Sequence, residues 1–268
     1  MIIRIADIPL EWQSDYSAFV EGFECDTDET PVMKLEFAAQ MNMMHGIQYT
    51  DKPSDHVLRL DNGELLFADA DWSRCTVFTH RNNCSEHSLP LSAICSKFSY
   101  FNTLFMHASV VDLNGDGIIF AGYSGVGKTT QAQLWEKYLD AEIINGDKAF
   151  VRHTDAGFYA YGCPWKGSSE YCLNRKTALR GIVILRQSTE NKITRLDTAK
   201  AIELFMPHIF LPHWDTACLQ AALGTFDKLT REIPVWLLEC RPDEAAVKLT
   251  YLWCVNTSHS ERKERRQI

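Results

Sequence analysis

GIIFAGYSGVGKTTQAQLWEKYLD, residues 117–140, decides how this chain is read. An apolar run, Ile118 to Ala121, ends at Gly122, and a helical pattern starts at Lys128. Between them, Gly122-Tyr-Ser-Gly-Val-Gly-Lys128-Thr129 satisfies G-x-x-x-x-G-K-[ST] at every position. Glycines at 122, 125 and 127 let the backbone fold tightly and aim N–H groups at a phosphate, those of Ser124 and Val126 included. The helix beginning at Lys128 adds its positive N-terminal end. Lys128 is expected to reach the β- and γ-phosphates. Thr129 is expected to offer its hydroxyl to Mg²⁺, a cation that prefers hard oxygen ligands. The expected nucleotide-binding set is thus Gly122, Ser124, Gly125, Val126, Gly127, Lys128, Thr129 and Thr130. A glycine-rich turn before a structural helix is the alternative.

Working outward, HASVVDL (107–113) reads as a strand, NGDG (114–117) as a turn and GIIFAG (117–122) as a second strand. An antiparallel hairpin therefore feeds the glycine loop. A helix over 130–140, a short strand AEIIN (141–145) and a hairpin over 148–162 follow. RGIVILRQ (180–187) has the look of a buried strand. Two helices are expected between Asp197 and Thr230, then a strand over 233–240. A last helix spans 242–253, with Pro242 in its first turn and Asp243 and Glu244 suiting the dipole. The fold class is α/β with a mixed sheet.

Residues 1–100 read as an α+β region. Asn62-Gly63 marks a hairpin within 55–70, and 75–80 supplies another strand. Leu91, Ile94, Cys95, Phe98, Phe101, Leu104 and Phe105 recur at helical spacing, which predicts a helix from Pro90 to Phe105. The expected organisation is an N-terminal region (1–100), a core (101–255) and a disordered basic tail (256–268).

Composition narrows the function classes. The chain of 268 residues is 46% hydrophobic and 23% charged, which excludes wholesale disorder and fibrous repeats. Of its net charge of −8, residues 1–100 hold 7 Lys and Arg against 16 Asp and Glu, so that third is no nucleic-acid surface. No apolar run is long enough for a membrane span, and acids and a Pro interrupt the N-terminus where a signal peptide needs an apolar stretch. Nine Cys without a CxxC pair suit neither a disulfide scaffold nor a zinc site. A soluble cytoplasmic protein with no nucleic-acid or membrane partner is the expectation.

The chemistry beyond the loop starts at Asp147, 19 residues after Lys128, where an apolar strand ends in Asn-Gly-Asp. Such a strand is expected beside the loop strand. Asp147 would then hold Mg²⁺ or accept a proton from a substrate hydroxyl; a plain turn Asp is the alternative. The chain has neither an NKxD guanine reader nor an LSGGQ signature. His107 is expected to open the strand paired with the loop strand and to approach the phosphates, unless it is structural. In Tyr161-Gly-Cys-Pro-Trp-Lys-Gly-Ser-Ser-Glu170, the mixture of Gly, Pro, Ser, an aromatic and a cation suggests substrate binding by Trp165, Lys166, Ser168 and Ser169, with Arg175 nearby, and a plain surface turn is the alternative. Arg175, Lys176 and Arg180 are candidate charge neutralisers, with solvated surface charge as the alternative.

His107-Ala-Ser, the hairpin, the glycine loop and Ile-Asn-Gly-Asp147 together resemble the catalytic core of the HPr kinase/phosphorylase and ATP-dependent phosphoenolpyruvate carboxykinase group. Gly162-Cys-Pro-Trp-Lys-Gly-Ser-Ser and Cys240-Arg-Pro-Asp are similar to a branch that includes peptide-tailoring serine kinases. The resemblance covers roughly residues 100–254. It implies a P-loop in a mixed sheet, ATP and Mg²⁺ as cofactors, Asp147 as the base and His107 beside the phosphates. It also implies a hydroxyl-bearing peptide, protein or small molecule as acceptor, and a homo-oligomer among the possible assemblies. One departure stands out: HPr kinases carry two adjacent acids at that strand end, whereas Lys148 follows a lone Asp147 here. The expected function is ATP/Mg²⁺-dependent phosphoryl transfer to a hydroxyl. A nucleotide-gated binding module and, further off, a carboxykinase-like C–C lyase are the alternatives.

Overall fold

A computed structural model describes residues 1–13, 17–39, 54–79 and 88–256. Cys84 and the expected tail from 257 onward lie outside them. Two mixed sheets carry the fold. The first contains β1 (Ile2–Ile5), β2 (Ile8–Gln13), β3 (Lys34–Ala39), β4 (His56–Arg59), β5 (Leu65–Ala68) and β6 (Arg74–Thr79), in the order β1-β2-β3-β6-β5-β4. The expected Asn62-Gly63 turn joins β4 to β5, with Gly63 at φ 86° and Asn62 Oδ1 accepting from Glu64 N at 3.0 Å. Ala6 and Asp7, both at positive φ, close a second tight hairpin between β1 and β2. Ile3, Ile5, Ile8, Leu10 and Trp12 alternate inward along its two strands.

Helix α1 (Leu89–Ser99) leads into the second sheet. It ends six residues before the sequence pattern does, because Asn102 at φ 52° turns the chain and β7 (Thr103–Leu113) begins. Phe101, Leu104 and Phe105 therefore do not belong to the helix. Strand β7 is buried on both faces, so its Leu104-Phe105-Met106 run shows no period of two and mimics helical spacing.

The remaining elements are β8 (Asp116–Ala121), α2 (Lys128–Leu139), β9 (Glu142–Asn145), β10 (Lys148–Thr154), β11 (Gly157–Tyr161), β12 (Lys176–Gln187), β13 (Lys192–Arg195), α3 (Thr198–Phe205), β14 (Ile209–Phe210), α4 (Thr216–Glu232), β15 (Val235–Cys240) and α5 (Glu244–Tyr251). Asn114 and Gly115, at φ 54° and 88°, make the tight turn of the β7–β8 hairpin. The sheet runs β11-β10-β7-β8-β12-β15-β13, and β11 also pairs with the start of β12, so five strands close into a ring. The strands β8, β12 and β15 run parallel and sit between two helical layers. Ile119 and Ala121 face the core with Ala201, Phe205 and Phe226, from α3 and α4. Ile118 and Phe120 face the opposite core with Ala132, Trp135 and Val247, from α2 and α5. This near-continuous apolar run is what double burial of a strand requires.

Two boundaries differ from expectation at the last helix. Asp243 is the N-cap of α5, accepting from Ala246 N at 3.0 Å, so Pro242 precedes the helix and does not start it. Residues 252–256 continue as a wider π-type turn. The eight described cysteines are all free. No described helix is long and apolar enough to cross a membrane.

Candidate functional site

The glycine loop, 122–127, joins β8 to α2. Gly127 caps α2 from the left-handed region, φ 110°, where a side chain would be strained, and no side chain caps the helix N–H groups. Those groups stay available to an anion. Tyr123, Ser124, Gly125 and Thr130 are exposed, while Val126, Gly127 and Thr129 are half-buried. Lys128 is buried and folds back over its own loop, donating to Gly122 O at 3.1 Å and Tyr123 O at 3.3 Å. Ser109 on β7 donates to Lys128 O at 3.0 Å, and Gln187 on β12 donates to Gly125 O at 3.2 Å. The loop is thus fixed by both neighbours of β8.

Strand β9 does not lie beside the loop strand as expected. It pairs with β7, which separates it from β8. Strands β9 and β10 continue one another along the same edge of β7, with a register shift at Val110/Val111 and a break at Gly146-Asp147. Asn145 makes the break possible: its buried Oδ1 accepts from Asp147 N and Lys148 N, at 3.0 and 3.1 Å. Its Nδ2 donates to Cys163 O at 3.0 Å, tying the following loop to the turn. Sequence reasoning read Asn145 only as turn chemistry. Across the gap, Thr129 Oγ1 donates to Gly146 O at 2.8 Å.

His107 sits in the middle of β7 and not at its start, since the strand extends back to Thr103. Its Nε2 lies 2.7 Å from Asp147 Oδ1. The Lys148 ammonium bonds the other oxygen, Oδ2. Burial alone would raise the Asp147 pKa, but the hydrogen bonds from His107 and Lys148 outweigh it and hold the carboxyl down at about 2. Asp147, Lys128, Thr129 and His107 therefore converge at one end of the second sheet.

The 162–170 loop reaches the same place. A methyl group on Gly167, at φ 58°, would fall 2.2 Å from Asp147 Oδ2, and one on Gly146 would fall 1.9 Å from Ser169 Oγ. Lys166 and Ser168 are exposed on this wall, and Ser169 accepts from Tyr171 N at 3.2 Å. Trp165 is a core side chain and not a substrate contact. It is buried, with its ring 5.4 Å from Phe19, 6.0 Å from Phe105 and 6.3 Å from Phe150. Arg175 is exposed and pairs with Glu142, Lys176 with Asp7 and Arg180 with Asp116, so these three cations are engaged in ion pairs away from Asp147.

One residue of the site has no signal in the sequence. His208 is buried beside the loop, its ring 5.1 Å from that of Tyr123. Burial, with the nearby charges of Lys128 and His107, pushes its pKa down to about 4. Tyr123 and His208 border a cleft of about 460 Å³ between the loop, the end of β12 and α3, walled by Ile184, Leu185, Leu204 and Leu237. The cleft also takes in Arg186, Gln187 and Glu203, and a largely apolar wall with a few polar groups is a usual form for a small-molecule site.

The chain matches no family model and no curated protein. Among solved structures it is similar to the HPr(Ser) kinase/phosphatase from Coxiella burnetii, at 8% identity, over 61% of this chain and 94% of that one, with a TM-score of 0.36. That likeness is a distant structural one.

Proposed function

We propose that this protein transfers the γ-phosphoryl group of Mg²⁺-ATP to a hydroxyl, with serine the first candidate, on a peptide, protein or small molecule. One observation carries the reading: Thr129 Oγ1 on Gly146 O, at 2.8 Å, joins the phosphate-binding end of α2 to the turn that presents Asp147. A loop suited to triphosphate and a carboxylate suited to a hydroxyl thus share one edge. The loop N–H groups and Lys128 would hold the phosphates, Lys128 exchanging its carbonyl partners for phosphate oxygens. The adjoining cleft has room for the rest of the nucleotide.

The donor set suits Mg²⁺. The Thr129 hydroxyl and the Asp147 carboxylate are hard oxygens in neighbouring positions, and Mg²⁺ commonly takes one or two carboxylates, the remainder being waters and phosphate oxygens. When bound it would supply charge neutralisation on the phosphates. Asp147 orients the acceptor hydroxyl and takes its proton. The acceptor O–P bond forms, the bond from Pγ to its bridging oxygen breaks and ADP leaves. A carboxyl held near 2 is a weak base, which suits a loose transition state where the proton moves late.

A ³¹P NMR experiment tests this. Purified protein with Mg²⁺-ATP is offered free serine and serine peptides, beside Asp147→Asn. A new phosphomonoester signal that is absent in the variant is expected. One specific observation favours a second reading, a nucleotide-gated binding module: both Asp147 oxygens are already engaged. ATP bound but never consumed across the acceptor panel would favour it.

A further inference from the structure

The resting site holds Asp147 in a manner that excludes more than it invites. His107 Nε2 faces Oδ1 at 2.7 Å. The Lys148 ammonium bonds Oδ2, and the Gly167 backbone closes that same side. The Lys148 side chain is only 2% exposed, so the ammonium has no aqueous place to retreat to. A divalent cation seated on Oδ2 would have to displace the ammonium from that oxygen or lie beside it against like-charge repulsion. Mg²⁺ also gives up its waters reluctantly. Among the described residues, no three His, Cys, Asp or Glu side chains converge to hold a cation elsewhere.

Phosphates reverse this balance. Their oxygens bring negative charge that an ammonium and a metal ion can share, and the glycine loop lies across the Thr129–Gly146 bond from Asp147. We propose that Lys148 is a positioning residue that closes the Asp147 carboxylate to divalent metal until a nucleotide's phosphates bring the metal in. Metal binding is then conditional on nucleotide, and the protein does not hold a resident ion. The nucleotide half of this rests on the kinase reading above; the closed carboxylate belongs to the nucleotide-free protein.

Mn²⁺ serves as the probe, with the free aquo ion counted by electron paramagnetic resonance. The full chain is titrated without nucleotide as wild type, Lys148→Met, Lys148→Arg, Asp147→Asn and the Lys148→Met/Asp147→Asn double variant. Lys148→Met should bind Mn²⁺ at least about tenfold tighter than wild type, and adding Asp147→Asn should remove the gain. Lys148→Arg keeps the charge and should bind no better than wild type. A role in stability alone would not produce a gain of affinity. Nucleotide-free wild type that binds Mn²⁺ as tightly as Lys148→Met, and loses that site in Asp147→Asn, overturns the proposal. Circular dichroism checks the fold of each variant. Should Lys148→Met not fold, wild type against Asp147→Asn decides alone: equal titrations support the closed carboxylate, and a site present only in wild type overturns it. Adding the non-hydrolysable analogue AMP-PNP should give wild type a Mn²⁺ site beyond the metal that the same analogue chelates in protein-free solution, and Asp147→Asn should weaken that site. AMP-PNP that binds without recruiting Mn²⁺ overturns conditional metal entry. Failure of AMP-PNP to bind at all sinks the nucleotide reading instead, and the titrations without nucleotide still judge the closed carboxylate.

Discussion

Asp147 and Asp215 both face an imidazole, His107 at 2.7 Å from the first and His56 at 3.4 Å from the second. Their surroundings differ. Asp215 is the N-cap of α4, its Oδ1 accepting from Ala217 N at 2.8 Å and Cys218 N at 3.0 Å. Its Oδ2 accepts from the buried indole of Trp72 at 2.9 Å, and the His56 ring stacks on that indole at 4.6 Å. This aspartate fastens the first sheet to α4 and caps a helix while doing so. Asp147 instead meets an ammonium and an imidazole, caps nothing, and keeps 22% of its side chain exposed against 8% for Asp215. A His–Asp pair therefore does not by itself mark chemistry. Backbone and indole donors fix Asp215 as a structural carboxylate; Asp147 takes its side-chain partners, an imidazole and an ammonium, at a more open position.

The largest expected effect tests the chemical side of that contrast. Asp147→Asn should lower turnover by about 10²–10⁴-fold, the usual range for a lost proton acceptor. Its thermal midpoint should fall as well, because the buried Lys148 ammonium then faces a neutral amide instead of a carboxylate. Turnover by ³¹P NMR and a melting curve check both halves. Lys128→Ala should weaken triphosphate binding by about 10- to 100-fold, the worth of one or two charge-assisted hydrogen bonds. Calorimetric titration with AMP-PNP measures it, and unchanged affinity removes Lys128 from the site.

Asp215→Ala should cost stability alone. Loss of the cap and an unpaired Trp72 donor should cost about 2–3 kcal/mol in urea unfolding, with AMP-PNP affinity unchanged. Equal loss of affinity would erase the distinction between the two aspartates. The smallest effect concerns His208, whose folded pKa lies near 4, below its ordinary 6.5. The unfolded chain binds the proton more readily, so stability falls as pH drops from about 6.5 towards 4, by about 2 kcal/mol at pH 5. His208→Gln should flatten that part of the stability curve, measured by urea unfolding at pH 7, 6 and 5.

The parts legible in the sequence are those written in local rules. Asn62-Gly63, Asn114-Gly115 and the 122–129 loop each place residues where the backbone demands them, and the structure builds a turn at each. The overrun of α1 shows where local rules fail: a strand buried on both faces carries no period of its own. The pairing of β9 with β7 was not readable, since strand order is set by which edge remains free. Trp165 sits in a loop of polar company yet fills a core formed by Phe19, Phe105 and Phe150, residues far from it in the chain. His208 reaches the loop from the turn between α3 and β14, which is held by β14 pairing with β7. Long-range placement decided each of these, and one-dimensional spacing does not contain it.

Strand β7 has a consequence for how the site fails. It is paired along one edge by β10 and β9 and along the other by β14 and β8, and His107 and Ser109 both belong to it. Its amides should be among the slowest in the molecule to exchange with deuterated solvent. The histidine that meets Asp147 thus hangs from the segment that opens last. Inactivation by denaturant should then coincide with global unfolding rather than precede it, and the site should show no partially melted state of its own.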